Sequence, residues 1–109
     1  MSRAVGDAAE QRAVAFLRAE GFRITDRNVS SRFGEIDIVA MKGDVLHIIE
    51  VKSAPTFEQA AGNITPSKVR KILMTAEAYM KKHRLDLDYV LDAVIVTGGT
   101  CELFENITI

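Results

Sequence analysis

The sequence predicts an α/β fold: a sandwich built on a mixed five-stranded sheet flanked by helices, in the order α-β-β-β-α-β-β. Two long stretches repeat their apolar residues at helical spacing, five short runs are rich in β-branched and apolar residues, and glycine-containing pairs separate neighbouring runs. Strands and helices do not alternate one by one, which argues against a doubly wound parallel sheet.

The first helix is expected from about Ser2 to Glu20, where Ala9, Ala13, Phe16 and Leu17 recur at helical spacing and Gly21 supplies a stop. Glu10 does not fall on its polar side. At about 100° per residue it projects close to Leu17 and between Ala13 and Val14, at the border of the core-facing stripe. An acid in that position is ordinarily a border residue whose head reaches solvent. A first strand follows from Phe22 to Val29, then a turn at Ser30, Ser31 and Arg32.

Two strands, Ile36 to Met41 and Val45 to Ser53, flank a Gly43-Asp44 pair that reads as a two-residue hairpin turn with glycine first. If Lys42 pairs with Val45, Asp37 stands directly opposite Glu50. Asp37 then shares a face with Val39 and Met41, and Glu50 shares one with Leu46, Ile48 and Lys52. Opposed residues have Cβ atoms about 5 Å apart, and like charges there destabilise a sheet. A divalent cation would turn that conflict into a site, because paired carboxylates are the hard oxygen ligands that Mg²⁺ or Mn²⁺ accepts. The competing reading is a longer loop and another register, with the acids on a solvated face; Val39, Leu46 and Ile48 on the same face favour burial. With two acids facing a common site, a role for Glu10 gains weight.

The segment from Ala54 to Ile64 has no clear period and reads as a loop beside that site. Thr65 as N-cap and Pro66 at the first helical position open a second helix, with Val69, Ile72, Leu73, Ala76, Tyr79 and Met80 as its apolar set, running to about Arg84. Lys81, Lys82 and Arg84 suit a solvated helix C-terminus. Lys68, Arg70 and Lys71 do not, since cations are disfavoured in the first turns, and they are the candidates for phosphate contacts. Tyr89 to Thr97 is a further strand, Gly98-Gly99 a turn and Thr100 to Phe104 a closing strand. Asp92 lies within the apolar run; an acid held there by a backbone or arginine hydrogen bond is at least as plausible as a catalytic one. His47, on the opposite face from Glu50, reads as structural or exposed.

The 109 residues, 48% of them apolar, suit one domain (1–109) with one modest core. No apolar run approaches the ~20 residues of a membrane span, and charges stand where a signal peptide would be apolar. A soluble, cytoplasmic protein without membrane association is expected. Cys101, the single cysteine, has no partner for an internal disulfide and no metal-thiolate pattern around it. A formal net charge of −1 restricts any nucleic-acid binding to a local patch.

An acid in the first helix, then an Asp, then Glu-x-Lys at the end of the following strand resembles the signature of the PD-(D/E)xK superfamily of restriction-endonuclease-like nucleases, whose compact form archaeal Holliday-junction resolvases share. More closely, the chain resembles the YraN-like family of small bacterial proteins. The resemblance lies in Gly6-Asp7-Ala8-Ala9-Glu10, Gly34-Glu35-Ile36-Asp37, Glu50-Val51-Lys52, Thr65-Pro66-Ser67-Lys68 and Asp92. It implies a restriction-endonuclease-like (tRNA-endonuclease or resolvase-like) sandwich and in-line hydrolysis of a phosphodiester. By the same resemblance Asp37 and Glu50 bind Mg²⁺ or Mn²⁺ with the Val51 carbonyl as a third ligand, Glu10 contributes directly or through water, and Lys52 positions or helps deprotonate the attacking water. Glu35 would support Asp37 from the same face. In one departure, family members often follow the lysine with a small hydroxyl residue and then a basic one, whereas here Ser53 is followed by Ala54.

Three functions of different classes follow. A metal-dependent endonuclease acting on DNA, including branched or structured DNA, is the favoured expectation. A nucleic-acid-binding module with the nuclease fold and little turnover would show salt-sensitive binding through Lys68, Arg70 and Lys71 without cleavage. An interaction protein whose acidic cluster is a relic would show no metal affinity; retention of Glu10, Asp37, Glu50 and Lys52 argues against it. Cutting both strands of a duplex needs two sites, so a homodimer is conjectured, although no interface is legible in the sequence.

Overall fold

A computed structural model describes residues 3–107. The elements are α1 (Arg3–Ala19), β1 (Arg23–Ser30), β2 (Glu35–Lys42), β3 (Val45–Ser53), α2 (Phe57–Gly62), α3 (Pro66–Lys82), β4 (Tyr89–Thr97) and β5 (Thr100–Phe104). Ser2, where the first helix was expected to begin, lies outside the described residues. The strands form one five-stranded sheet in the spatial order β1-β2-β3-β4-β5. Only β3 and β4 run parallel, the connection that α2 and α3 cross; the other neighbours are antiparallel. The chain is therefore a mixed α/β protein.

The element order is corrected first. The segment from Ala54 to Ile64, read as a loop, contains α2. Its six residues are too few to display a period, and only Ala60 is buried; what marks its start is Thr56, whose hydroxyl accepts from the Gln59 N–H at 3.3 Å. The element order is thus α-β-β-β-α-α-β-β. Thr65 caps α3 in the same way, accepting from the Lys68 N–H, with Pro66 next in sequence, as its composition implied.

Alternation along the strands divides the core into two layers. On one face Ile38, Ala40, Ile49, Val51, Val94 and Val96 pack under Ala9, Ala13, Val14 and Leu17 of α1. On the other, Val39, Leu46, Ile48 and Leu91 pack under Ile72, Ala76 and Met80 of α3. Because β3 and β4 lie at the centre of the sheet with both faces covered, their burial is almost continuous.

The β2–β3 hairpin has the register that its turn implies. Lys42 pairs with Val45, and the ladder runs to Ile38 paired with Ile49. Gly43 sits at φ +62°, a conformation that favours glycine. Beyond Ile38 the two strands part. β2 continues on β1 through Ile36 with Val29 and Glu35 with Ser30, while β3 continues on β4 to Ser53 with Val96. A second expectation is corrected here: Asp37 and Glu50 are not ladder partners, because the fork opens at the step where they would have paired.

Candidate active site

In an antiparallel ladder the pair flanking a two-residue turn is hydrogen-bonded, and hydrogen-bonded and non-hydrogen-bonded pairs then alternate. Counting from Lys42 and Val45, Asp37 and Glu50 fall at a non-hydrogen-bonded position, where side chains approach most closely. Val51 would next have met Ile36. Instead its backbone N–H donates to Asp37 Oδ2 at 2.7 Å. The side chain replaces the lost ladder acceptor and fixes the carboxylate in the fork.

Glu50 is buried and ion-paired, its Oε1 lying 3.0 Å from Lys52 Nζ on the same face of β3. Burial first, and Glu50's charge second, push the Asp37 carboxyl up to about 7; the Val51 hydrogen bond and Lys52 oppose that rise, and Glu10 adds slightly to it. Two carboxylates thus compete for one lysine in a poorly solvated place. Each has one oxygen committed, to an N–H or an ammonium, and a second for which no protein partner is found among the described residues.

This donor set fits a hard divalent cation. Mg²⁺ is usually held by one or two carboxylates and keeps several waters, and a cation between Asp37 and Glu50 would relieve the repulsion that raises Asp37. The described residues contain no group of three or more His, Cys, Asp or Glu side chains disposed around a common metal position. Two acids therefore make up the carboxylate part of the candidate site.

Glu10 is placed differently from the other two. It projects from α1, on the opposite layer, and is buried. Its Oε1 accepts from Arg27 Nε at 3.0 Å and from Asn28 Nδ2 at 3.1 Å, and lies 3.0 Å from a second Arg27 nitrogen. Both donors come from β1, where Asn28 has φ +53°. Sequence reading placed Glu10 at the core border but missed these partners, since a strand twelve or more residues downstream carries no local sign of which helix residue it will face.

The basic residues of α3 separate into two groups. Lys68 and Lys71, together with Glu35 and Glu50, line a cavity of about 220 Å³. Arg70 is exposed and does not line it. Lys68 Nζ donates to the Asn63 carbonyl at 3.0 Å. The approach of α3 to the fork is set by the turn before β2. There the Ser31 N–H donates to the Gly34 carbonyl at 2.8 Å, the Ser31 hydroxyl meets Thr75 Oγ1 at 2.8 Å, and Thr75 Oγ1 donates to the Lys71 carbonyl at 2.9 Å. A Cβ at Gly34 would lie 3.5 Å from Lys71 Cβ, so the helix passes almost directly over this glycine.

Asp92 and His47 form a separate buried pair on the α1 side. Asp92 is fully buried; its Oδ2 lies 2.5 Å from His47 Nδ1, and its Oδ1 accepts from the Asn106 N–H at 2.9 Å. Phe22 packs edge-on to the His47 ring at a centroid distance of 4.8 Å. Asp92 is thus an acid held by a backbone hydrogen bond, as one reading of its position anticipated. His47 is buried in the core.

The fold and the fork together define a mixed α/β protein with two carboxylates and a lysine gathered where two central strands part. The model of the uncharacterised protein family UPF0102 matches residues 9–96, and the chain belongs to this family, the YraN-like group its motifs resemble. It is 51% identical over 109 residues to a UPF0102 protein of Sulfurimonas denitrificans, covering the whole of both chains. A UPF0102 protein of Helicobacter hepaticus is 49% identical over 99% of this chain and 97% of its own. One from Wolinella succinogenes is 47% identical over the full length of both. No described helix is long and apolar enough to cross a membrane.

Proposed function

We propose that this protein is a metal-dependent endonuclease of the PD-(D/E)xK type, hydrolysing phosphodiester bonds in DNA. The observation that carries the reading is the forked hairpin: Asp37 and Glu50 side by side, with Lys52 on Glu50 and the Asp37 carboxyl raised to about 7 by burial and by its neighbour. A carboxyl raised by burial and set beside a second acid and a lysine is the kind of arrangement a hydrolytic metal site uses.

Asp37 and Glu50 would hold Mg²⁺ or Mn²⁺, with the carbonyl of Val51, the residue whose N–H holds Asp37, as the third ligand that the resemblance implies. When bound, the ion polarises the phosphoryl oxygen and lowers the pKa of a coordinated water. Lys52 provides the positive charge that orients the attacking water and offsets charge gathering on the phosphate. Lys68 and Lys71, lining the cavity on the Glu50 side, hold the flanking phosphates. Glu10, secured by Arg27 and Asn28, acts from the second layer by adding negative charge near Asp37.

A second reading is favoured by that same Glu10. With its Oε1 already committed to Arg27 and Asn28, and with Ala54 in place of a basic residue, the site suits a nucleic-acid-binding module with little turnover. The discriminating experiment offers single-stranded, duplex, flap and four-way-junction DNA with Mg²⁺ or Mn²⁺ to the wild type, Asp37→Ala and Lys52→Ala. Cutting lost in both variants establishes the nuclease. Salt-sensitive binding without cutting establishes the binding module.

A further inference from the structure

The sheet face that carries Glu50 and Lys52 does not end with them. In the parallel β3–β4 register Glu50 pairs with Ala93 and Lys52 with Ile95. Partners in a ladder point to the same side of a sheet, so Ala93 and Ile95 continue the candidate active-site face by one strand. There α2 flanks it as well as α3. Ala93 and Ile95 floor an apolar groove of about 440 Å³ whose walls include Phe57 of α2, Phe104 of β5 and Val69 of α3. Phe57 and Phe104 lie with ring centroids 5.2 Å apart and an interplanar angle of 47°, and Phe57 is one of two large apolar side chains exposed among the described residues. Ile107 closes one end, its N–H donating to the Leu91 carbonyl at 2.8 Å.

An apolar groove in isolation would suit many occupants. This one lies beside cations: Lys52 neighbours its floor, and Lys68 follows Pro66 and precedes Val69, two residues of its wall. Aromatic and apolar surface next to a row of ammonium groups complements a strand of nucleic acid whose base faces are free and whose phosphates are close by. A fully paired duplex turns its base faces inward and has nothing to place in such a groove.

We propose that the groove receives an unstacked nucleobase, packed against Phe57, from the strand whose phosphate lies at Glu50 and Lys52. The inference rests on reading Glu50 and Lys52 as a phosphodiester site. It specifies the substrate class: DNA that is single-stranded or locally unpaired next to the phosphate engaged.

The test uses oligonucleotides carrying 2-aminopurine, whose fluorescence reports stacking, in single-stranded form and in a fully paired duplex, with the full chain and without divalent metal. The single strand is expected to bind about five- to a hundredfold more tightly than the duplex, with a stacking-dependent change in emission. Phe57→Ala and Phe57→Leu should both remove that preference and leave duplex affinity unchanged, and Phe57→Tyr should restore it. Leu keeps apolar volume without an aromatic face, so its failure cannot be assigned to a collapsed groove; circular dichroism establishes that each variant is folded. Equal affinity for both forms, or an unchanged preference in Phe57→Leu, overturns the proposal. So does sedimentation showing a dimer that Phe57→Ala dissociates, which would make a second copy the occupant. Stacking without cleavage would leave this inference standing and refute the endonuclease; cleavage of duplex without any single-strand preference would do the reverse.

Discussion

The backbone N–H of Val51 donates to the Asp37 carboxylate at 2.7 Å, in the gap where β2 and β3 separate. That hydrogen bond holds an acid beside Glu50 although the pairing that would have carried both has ended. Asparagine at this position can still accept from Val51 but cannot repel Glu50. Asp37→Asn is therefore expected to fold, to gain stability at pH 8 on the order of 0.5–1 kcal/mol, and to lose metal-dependent cleavage by at least about 10²-fold. Thermal unfolding alongside a cleavage assay checks both parts; a loss of stability at pH 8 would show that the two acids are not in conflict.

Metal binding should follow the titration of Asp37. Its folded pKa is raised from 3.8 to about 7, so the folded state binds the extra proton between those values. Stability from this group is fully present below about 4 and is lost as pH rises through about 7. A cation must displace the same proton, so Mn²⁺ affinity measured by calorimetry is expected to climb between pH 6 and 8 and to release a proton on binding at the lower end. A flat profile over that range would contradict the burial and charge argument.

Lys52→Met removes the ammonium 3.0 Å from Glu50 and one of the influences that lower the Asp37 pKa. The midpoint of the Mn²⁺ affinity profile should move to higher pH, and cleavage at pH 8 should fall by about 10²- to 10³-fold. Titration of a ¹³C-labelled aspartate in the metal-free protein reads the shift directly.

The two groups of α3 cations should differ in the salt dependence of DNA binding. Lys68→Ala and Lys71→Ala are each expected to reduce the slope of log K against log salt by about 0.7–0.9, the value of one phosphate contact. Arg70, exposed and outside the cavity lining, should change it less. Fluorescence anisotropy across a salt series separates them.

Asp92 should matter to the fold and not to the site. Asp92→Ala removes the acceptor of the Asn106 N–H and the hydrogen-bond partner of the buried His47 ring nitrogen, at a cost of about 2–3 kcal/mol in urea unfolding. Asp92→Asn keeps an acceptor for Asn106 and should lose less. Mn²⁺ affinity of the folded Asp92→Asn variant should match the wild type.

How much of this was legible in the chain depends on the range of the interactions involved. The hairpin register followed from local chemistry: Gly43-Asp44 sets the turn, the turn sets Lys42 against Val45, and a strict period of two carries the ladder to Ile38 against Ile49, one step short of Asp37 and Glu50. The α3 start was equally local, since Thr65 and Pro66 satisfy and pre-organise the first turn by themselves. α2 was not, because six residues hold less than two turns of pattern and its one buried side chain, Ala60, does not distinguish it from loop.

The sequence by itself determined every element type but α2, the hairpin register, the two-faced sheet and the approach of Asp37, Glu50 and Lys52 to one another, because turn chemistry and side-chain alternation act between near neighbours. The tertiary structure alone decided that β2 leaves β3 for β1 at the acids, that Arg27 and Asn28 hold Glu10, that His47 is buried on Asp92, and that Phe57 and Phe104 flank a groove beside the site. Apart from the β1–β2 pairing, each of these joins residues at least seventeen positions apart. Their meeting depends on how whole helices and strands pack, which no local pattern encodes.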